Sequence, residues 1–129
     1  RYFNVYGERQ SVDGAYSTVI GIFLKQNYDR KKLTITNDGE QRRDFTYVQD
    51  VVEANILAAK SDKVGEGEVI NIGRGNNHSV NEIAEMIGGE TEFIGDRLEP
   101  RETLADNSKA KELLGWEPKI DIKDWLTNN

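Results

Sequence analysis

The sequence is poor in the residues that build covalent or metal-centred sites. Among its 129 residues it has no cysteine, one histidine, one methionine and two prolines. Without cysteine the chain forms neither disulfides nor thiolate ligands, which suits a cytoplasmic protein, and one histidine leaves little scope for a metal site. No apolar run approaches the roughly 20 residues that span a bilayer. We therefore expect no resident metal and no membrane partner.

Charge and length are those of an ordinary globular domain. The net charge is −6, and the 17 lysines and arginines are scattered rather than gathered into a basic stripe, so no nucleic-acid partner is expected. Hydrophobic residues make up 36% and charged residues 31% of the chain, which predicts one soluble domain over residues 1–129. The chain opens on Arg1 without a signal peptide, which predicts a fragment of a larger protein.

Hydrophobic periodicity predicts alternating helices and strands in the first half of the chain. A helix over about 16–27 is followed by a strand over about 33–36 and the turn Asn37-Asp38-Gly39. A second strand over about 43–48 would turn Arg42 to solvent, because successive side chains of a strand face opposite sides. A second helix then runs towards Gly65. The residues expected to face inward from these two helices are Tyr16, Val19, Ile20, Phe23, Leu24, Val48, Val51, Val52, Ile56 and Ala59.

The second half continues this alternation. A strand over Val69–Ile72 is followed by Ser79-Val80-Asn81-Glu82, which has the form of a capping box and begins a third helix. This helix ends at Gly88. A strand over about 91–94, a short helix over about 108–114 and a mostly looped remainder complete the chain. The predicted fold class is α/β, a small mixed lobe in one layer with short strands and three to four helices.

Two apparent signatures of cofactor chemistry are better explained by local structure. Gly73-Arg74-Gly75 lacks the third glycine of a dinucleotide-binding fingerprint, because His78 occupies that position, so it is interpreted as a strand-to-helix turn. The spacing of Tyr28 and Lys32 matches a Tyr-x-x-x-Lys pair, but it falls where the helical periodicity has ended. Neither pattern predicts a catalytic or NAD-binding residue in this chain.

Four longer patterns carry a family resemblance. Residues 1–10 (RYFNVYGERQ) are similar to an R-x-F-N-V-Y-G-P-R-Q motif, and 38–51 (DGEQRRDFTYVQDV) to G-D-G-x-Q-x-R-D-F-x-Y-V-x-D-V. Residues 71–75 (NIGRG) with Ser79, and 103–118 (TLADNSKAKELLGWEP), complete the set in the family's order. The chain resembles the carboxy-terminal, substrate-binding lobe of NAD-dependent nucleotide-sugar epimerases and dehydratases, which are extended short-chain dehydrogenases. The resemblance is closest to UDP-glucose 4-epimerases, and related decarboxylases share much of it.

The resemblance implies a UDP- or dTDP-sugar ligand and assigns binding residues along the chain. Arg43 would bind the diphosphate, with an ion pair to a neighbouring carboxylate as the alternative, and Asn4 would donate to the diphosphate or adjoining sugar. The backbone of Thr34 and Ile35 would line the nucleobase. Val69 would pack against the base, with an ordinary core valine as the alternative. Arg97 and Glu99 would reach the phosphate and the ribose hydroxyls. If Glu99 is displaced by one position from the family's acidic residue, it would simply be solvated.

The resemblance also implies what lies outside this sequence. In the intact family enzymes NAD takes a hydride from the sugar, and the glycine-rich loop and catalytic tyrosine would precede Arg1. The chain alone is thus expected to bind no NAD, to be inactive and to require a Rossmann lobe as its partner. The alternative is a free-standing binding or self-associating module, a homo-oligomer built on the same lobe. Three departures from the family pattern stand out: Glu8 for a proline, Gly21 for a proline and Asn37 for the first glycine of G-D-G.

Overall fold

A threonine sets the start of the first helix. In the computed structural model, which describes residues 1–128, α1 spans Val19–Tyr28. The Thr18 hydroxyl accepts a hydrogen bond from the Gly21 N–H and caps the first turn. Ile20 and Phe23 are fully buried, as the periodicity predicts. The prediction of an inward-facing Tyr16 is wrong, because this residue precedes the cap and is 95% exposed.

The second helix buries a narrower face than its sequence pattern predicts. α2 spans Val48–Lys60 and buries Val51 and Ala54. The expectation that Val52 and Ile56 face inward is wrong, because they are 43% and 49% exposed. The two residues are four positions apart and therefore lie on one side of the helix, which is turned to solvent.

The predicted capping box is present. α3 spans Val80–Ile87, the Ser79 hydroxyl accepts from the Glu82 N–H, and the Glu82 carboxylate accepts from the Ser79 N–H. This reciprocal pair satisfies two backbone donors that a helix start leaves free. Ile83 and Ala84 are buried, so the helix is fixed at its first turn and along its apolar face.

The end of the chain is more ordered than predicted. α4 spans Ser108–Leu114, and α5 spans Ile122–Asn128 in the segment expected to be mostly loop. The Asp121 carboxylate accepts the Lys123 N–H at the start of α5, and Ile122 and Trp125 are buried. The Trp125 indole N–H donates to the Glu8 carboxylate, 2.9 Å away, so Glu8, present in place of the family's proline, fixes α5. The described residues thus form five helices rather than three to four.

The strands are short and form three separate pairs rather than one layer. A parallel pair joins β1 and β4, a second parallel pair joins β2 and β6, and β3 pairs antiparallel with β5. The predicted strand over 43–48 is divided in two, because buried Asp44 and Phe45 separate its halves. The α/β class is confirmed. The strands are β1 Val5–Tyr6, β2 Leu33–Ile35, β3 Arg42–Arg43, β4 Thr46–Tyr47, β5 His78–Ser79 and β6 Thr91–Phe93.

The strand predicted over Val69–Ile72 is reduced to one parallel bridge. Tyr2 pairs with Ile72, the Phe3 N–H donates to the Ile72 carbonyl, and the Ile72 N–H donates to the Arg1 carbonyl. The two segments nevertheless run side by side at the surface of the molecule.

Two apolar clusters hold these elements together. One joins α1, β2, α3 and α5 around Phe23, Leu33 and Ile83. The other joins α2 and α4 around Trp116, whose indole N–H donates to the Asp50 carbonyl. Within residues 1–128, none of the helices has the length and apolar character needed to cross a bilayer.

Candidate functional site

Five of the seven predicted ligand residues line one cavity. The cavity has a volume of about 440 Å³ and lies between the start of α1, the strands β2 and β3, and the loop at 94–99. This volume falls within the roughly 300–1,000 Å³ range of small-molecule sites. Residues separated by up to 95 positions in the sequence meet here. The five are Asn4, Thr34, Arg43, Arg97 and Glu99.

An arginine–carboxylate pair forms the polar wall of this cavity. Arg43 Nη2 lies 3.1 Å from Glu99 Oε2, and the two side chains are only 13% and 22% exposed. Arg43 Nη1 also donates to the Arg42 carbonyl at 2.8 Å. The ion pair considered as an alternative for Arg43 therefore exists, and it lies inside the cavity rather than on the outer surface.

Glu99 is held from both sides. Its Oε1 atom accepts from Asn37 Nδ2 and from Gln41 Nε2, each at 2.9 Å, and from Thr36 Oγ1 at 3.3 Å. Its Oε2 atom accepts from Arg43. Glu99 is therefore not simply solvated, because its carboxylate forms part of the cavity wall.

Asn4 directly precedes β1 and lines the cavity. Its φ of 31° places it in the left-handed region, which asparagine tolerates better than most residues. Its carbonyl accepts the Thr46 N–H, and its Nδ2 donates to Thr103 Oγ1 at 3.3 Å. The backbone pairing fixes the position of the side chain at the rim.

The main-chain groups predicted to line a nucleobase are partly engaged within the chain. The Thr34 N–H donates to Gln26 Oε1 at 3.0 Å, and the Thr34 hydroxyl accepts from Gln26 Nε2 at 2.8 Å. Ile35 is buried in the core, and its carbonyl accepts the Ile94 N–H. Thr34 lines the cavity, whereas Ile35 does not.

Val69 lies away from the other predicted ligand residues. It is 52% exposed and lines a separate groove of about 410 Å³ with Tyr2, Asn55 and Ile70. Neither the expected contact with a base in the cavity nor the alternative of a buried core valine agrees with this position. The pairing of Tyr2 with Ile72 holds this segment beside the start of the chain, in a groove separate from the cavity.

As predicted, Arg42 does not line the cavity, but it is only 34% exposed and is paired with neighbouring side chains rather than free in solvent. Its Nε donates to Asn77 Oδ1 at 2.8 Å, and its Nη2 lies 3.2 Å from Glu82 Oε2. Burial would raise the pKa of Glu82, but the hydrogen bonds from the Ser79 N–H and from Arg42 outweigh it, and the pKa lies below its usual value. Arg42 faces away from the cavity because β3 pairs with β5, which brings the α3 cap beneath it.

Sequence reasoning missed Asp44, the residue that joins three segments behind the cavity. Its carboxylate is fully buried and accepts the N–H groups of Arg74 and Gly75 at 2.8 Å and of Ala105 at 3.1 Å. Three donors offset the cost of burying a charge. The only sequence signal was its place directly after Arg43 in the longest matched motif.

The same contacts show that the Gly73–Gly75 turn does not fit a dinucleotide phosphate. The N–H groups of Arg74 and Gly75, which such a cradle would use, already donate to Asp44. A Cβ at Gly73 would clash with the Ala105 side chain, so this glycine serves internal packing. Within residues 1–128, no group of three acidic or histidine side chains is arranged to hold a metal ion.

Comparison with known proteins identifies the class to which this fold and cavity belong. The model of the NAD dependent epimerase/dehydratase family matches residues 1–73, and the chain belongs to that family. UDP-glucose 4-epimerase of Thermotoga maritima, solved with UDP-glucose, is 40% identical to it with a TM-score of 0.87. That match covers 98% of this chain and 42% of the epimerase.

Two further relatives extend this comparison. UDP-glucuronic acid 4-epimerase of Bacillus cereus, solved with UDP-glucuronic acid and NAD, is 36% identical with a TM-score of 0.85, over 98% of this chain and 41% of the epimerase. UDP-glucuronic acid decarboxylase 6 of Arabidopsis thaliana is 35% identical over 136 residues, covering 98% of this chain and 37% of the decarboxylase. The chain thus spans about two fifths of the length of these relatives. The family predicted from the four motifs is confirmed, and its cofactor is NAD.

Proposed function

We propose that this chain is the sugar-nucleotide-binding lobe of an NAD-dependent UDP-sugar epimerase, located in the cytoplasm, and that it is not catalytic alone. The observation that carries the proposal is the convergence of Arg43, Arg97 and Glu99 on one cavity of about 440 Å³. A sugar nucleotide presents a diphosphate and a ribose, which call for fixed cations and a hydrogen-bond acceptor. Relatives solved with UDP-glucose and with UDP-glucuronic acid support this class of ligand.

Arg43 is the principal cation for the diphosphate in this proposal. Its guanidinium is a planar fork that can hold two phosphate oxygens at once, and its low exposure strengthens the interaction by limiting screening. Arg97 lines the same cavity and would contribute a second charge. Glu99 keeps Arg43 paired at 3.1 Å before the ligand arrives, and its carboxylate can then accept ribose hydroxyls.

A second surface supports the proposal that the lobe docks on a cofactor-binding partner. We define the open face as Tyr2, Val52, Ile56 and Val69, all of them between 43% and 57% exposed. The Tyr2 hydroxyl donates to Asn55 Oδ1, which places the tyrosine beside the exposed side of α2. Parallel strand pairs are normally covered on both faces, and the pair at Tyr2 and Ile72 borders this apolar surface. A Rossmann lobe whose strands extended this parallel pair would cover the open face.

The open face also favours a second candidate function, a free-standing binding module that self-associates. Burying exposed apolar surface against a complementary surface stabilises the complex, and that surface can belong to a second copy of the chain. Both candidates place the ligand in the same cavity. They differ in what covers Tyr2 and Val69.

Titration calorimetry of the chain against UDP, dTDP, UDP-glucose and NAD tests the proposed function. We expect saturable binding of UDP or dTDP and of the sugar nucleotide, no binding of NAD, and no turnover of UDP-glucose with NAD added. UDP and dTDP carry the same diphosphate, on a ribose in UDP and on a 2′-deoxyribose in dTDP. Binding of NAD alone, or turnover by the chain, would contradict the division of labour between two lobes.

A further inference from the structure

The turn after β2 holds the loop that carries Arg97 and Glu99. Asn37 makes three hydrogen bonds to this loop. Its backbone N–H donates to the Gly95 carbonyl at 2.9 Å, and its Oδ1 accepts the Arg97 N–H at 2.8 Å. Its Nδ2 donates to Glu99 Oε1 at 2.9 Å. Two of these three hydrogen bonds use the side chain. Asn37 therefore contacts both the backbone of Arg97 and the carboxylate of Glu99. That carboxylate also accepts from Thr36, Gln41 and Arg43.

The loop needs such an anchor because its own residues give it little packing. Residues 94–98 are exposed and belong to neither helix nor strand, and Leu98 is 103% exposed. The Ile94 N–H donates to the Ile35 carbonyl at one end of the loop, and the Arg101 carbonyl accepts the Arg42 N–H at the other. Between these two ends, Asn37 makes its contacts at Gly95, Arg97 and Glu99.

The backbone of Asn37 explains why this residue type suits the position. Its φ of 54° lies in the left-handed region, where glycine is the easiest residue and asparagine the next. The family motif has a glycine here, which would adopt the turn and keep the backbone bond to Gly95 but would lack both side-chain contacts. Asparagine keeps the turn and adds one donor and one acceptor aimed at residues 60 and 62 positions further along the chain.

We infer that Asn37 is a positioning residue that preorganises Arg97 and Glu99 for a nucleoside diphosphate. The inference rests on the proposed function, because it assumes that the ligand binds in the cavity these residues line. A loop held in its binding conformation before the ligand arrives loses less entropy on binding. Asn37 thus affects affinity through Arg97 and Glu99.

Two variants at this position separate its two hydrogen bonds. Asn37→Gly keeps the left-handed turn and removes both side-chain contacts. Asn37→Asp keeps the acceptor for the Arg97 N–H but replaces the donor with a carboxylate next to Glu99. For both variants we expect the UDP dissociation constant to rise by roughly threefold to tenfold, the scale of one or two lost hydrogen bonds.

Hydrogen exchange measured by NMR supplies a readout that does not depend on affinity. The Arg97 amide should exchange at least about tenfold faster in Asn37→Gly and close to the unaltered rate in Asn37→Asp, because only the glycine variant removes its acceptor. The Ile94 amide at the base of the loop is the internal control and should not change.

The outcomes distinguish this inference from the proposed function. If the unaltered chain binds UDP and Asn37→Gly binds it equally well, the positioning role is wrong while the proposed function stands. If Arg97 exchange is the same in both forms, Asn37 does not hold the loop. If the unaltered chain shows no UDP binding, the proposed function and the affinity role both fail, and Arg97 exchange still decides whether Asn37 anchors the loop.

Discussion

The cavity and the open face differ in how far the chain completes each of them by itself. In the cavity, Arg43 and Glu99 are largely shielded from solvent and paired with each other, and Glu99 accepts three further hydrogen bonds. On the open face, Tyr2 and Val69 are 57% and 52% exposed beside an apolar groove. The first surface has its polar groups arranged in advance, and the second presents apolar area to solvent.

This difference indicates which task each surface serves. Prearranged charges suit the capture of a small anionic ligand, because little has to be reordered when it binds. Apolar area suits a macromolecular partner, at about 25 cal/mol gained for each square ångström buried. Ligand binding should therefore depend on single polar residues, and docking should depend on the open face as a patch.

The largest effect is expected from the loss of Arg43. Arg43→Ala removes a partly buried cation that can make two parallel hydrogen bonds to phosphate, and such charge-assisted bonds contribute about 1.5–3 kcal/mol. UDP binding measured by calorimetry should weaken by roughly tenfold to a hundredfold. Arg43→Lys should recover only part of the affinity, since an ammonium attracts phosphate as a point charge without the paired geometry.

Arg42→Ala is the matched control for this series. It removes the same charge one residue away, from a side chain that contacts Asn77 and Glu82 instead of the cavity. UDP affinity should change little, while the melting temperature should fall slightly through the weakened α3 cap. Equal losses of UDP affinity for the two alanine variants would show that net charge matters more than position.

A change at the open face should have a smaller effect, and only on association. Val69→Asp places a charge in the apolar groove and should weaken self-association by roughly tenfold, as expected for a central residue of an interface. Light scattering over a concentration series measures this, with Tyr28→Asp as the control at an exposed residue of α1. A strictly monomeric unaltered chain, or equal effects of the two variants, would contradict self-association through this face.

The smallest effect is expected at Glu99, where two ligands should respond in opposite directions. Glu99→Ala removes the carboxylate that pairs with Arg43, so inorganic pyrophosphate should bind as well as before or a few-fold more tightly. UDP should bind a few-fold more weakly, because the acceptor for the ribose is lost. Calorimetry with pyrophosphate and with UDP measures whether the two affinities change in opposite directions. Parallel losses for the two ligands would instead show that Glu99 serves only to hold Arg43 in place.

Sequence patterns predicted the parts of the fold that depend on neighbouring residues. The Ser79–Glu82 capping box and the buried face of α1 follow from spacings of three and four residues, and both are observed. Helix α5 was not predicted, although Asp121 caps its first turn and the apolar Ile122 and Trp125 follow. Its stability depends on the distant contact between Trp125 and Glu8.

The positions of Val69, Arg42 and Asn37 could not be predicted from local patterns. Val69 lies apart because a single bridge to Tyr2 carries its segment to another surface, and Arg42 is paired because β5 brings Asn77 and Glu82 beside it. The two side-chain bonds of Asn37 span 60 and 62 residues of sequence. The motif resemblance still named five residues that line one cavity, because a family motif carries information on tertiary contacts that periodicity lacks.

The most direct test of the account is a map of backbone amide shifts in a ¹H–¹⁵N NMR titration of the chain with UDP. We predict that the shifts concentrate at Thr34, Arg43, Arg97 and Glu99, the walls of the cavity, and that Tyr2, Val69 and Ile70 remain unmoved. Shifts centred on the groove beside Val69, with Arg43 and Glu99 unaffected, would contradict the assignment of the cavity as the nucleotide site.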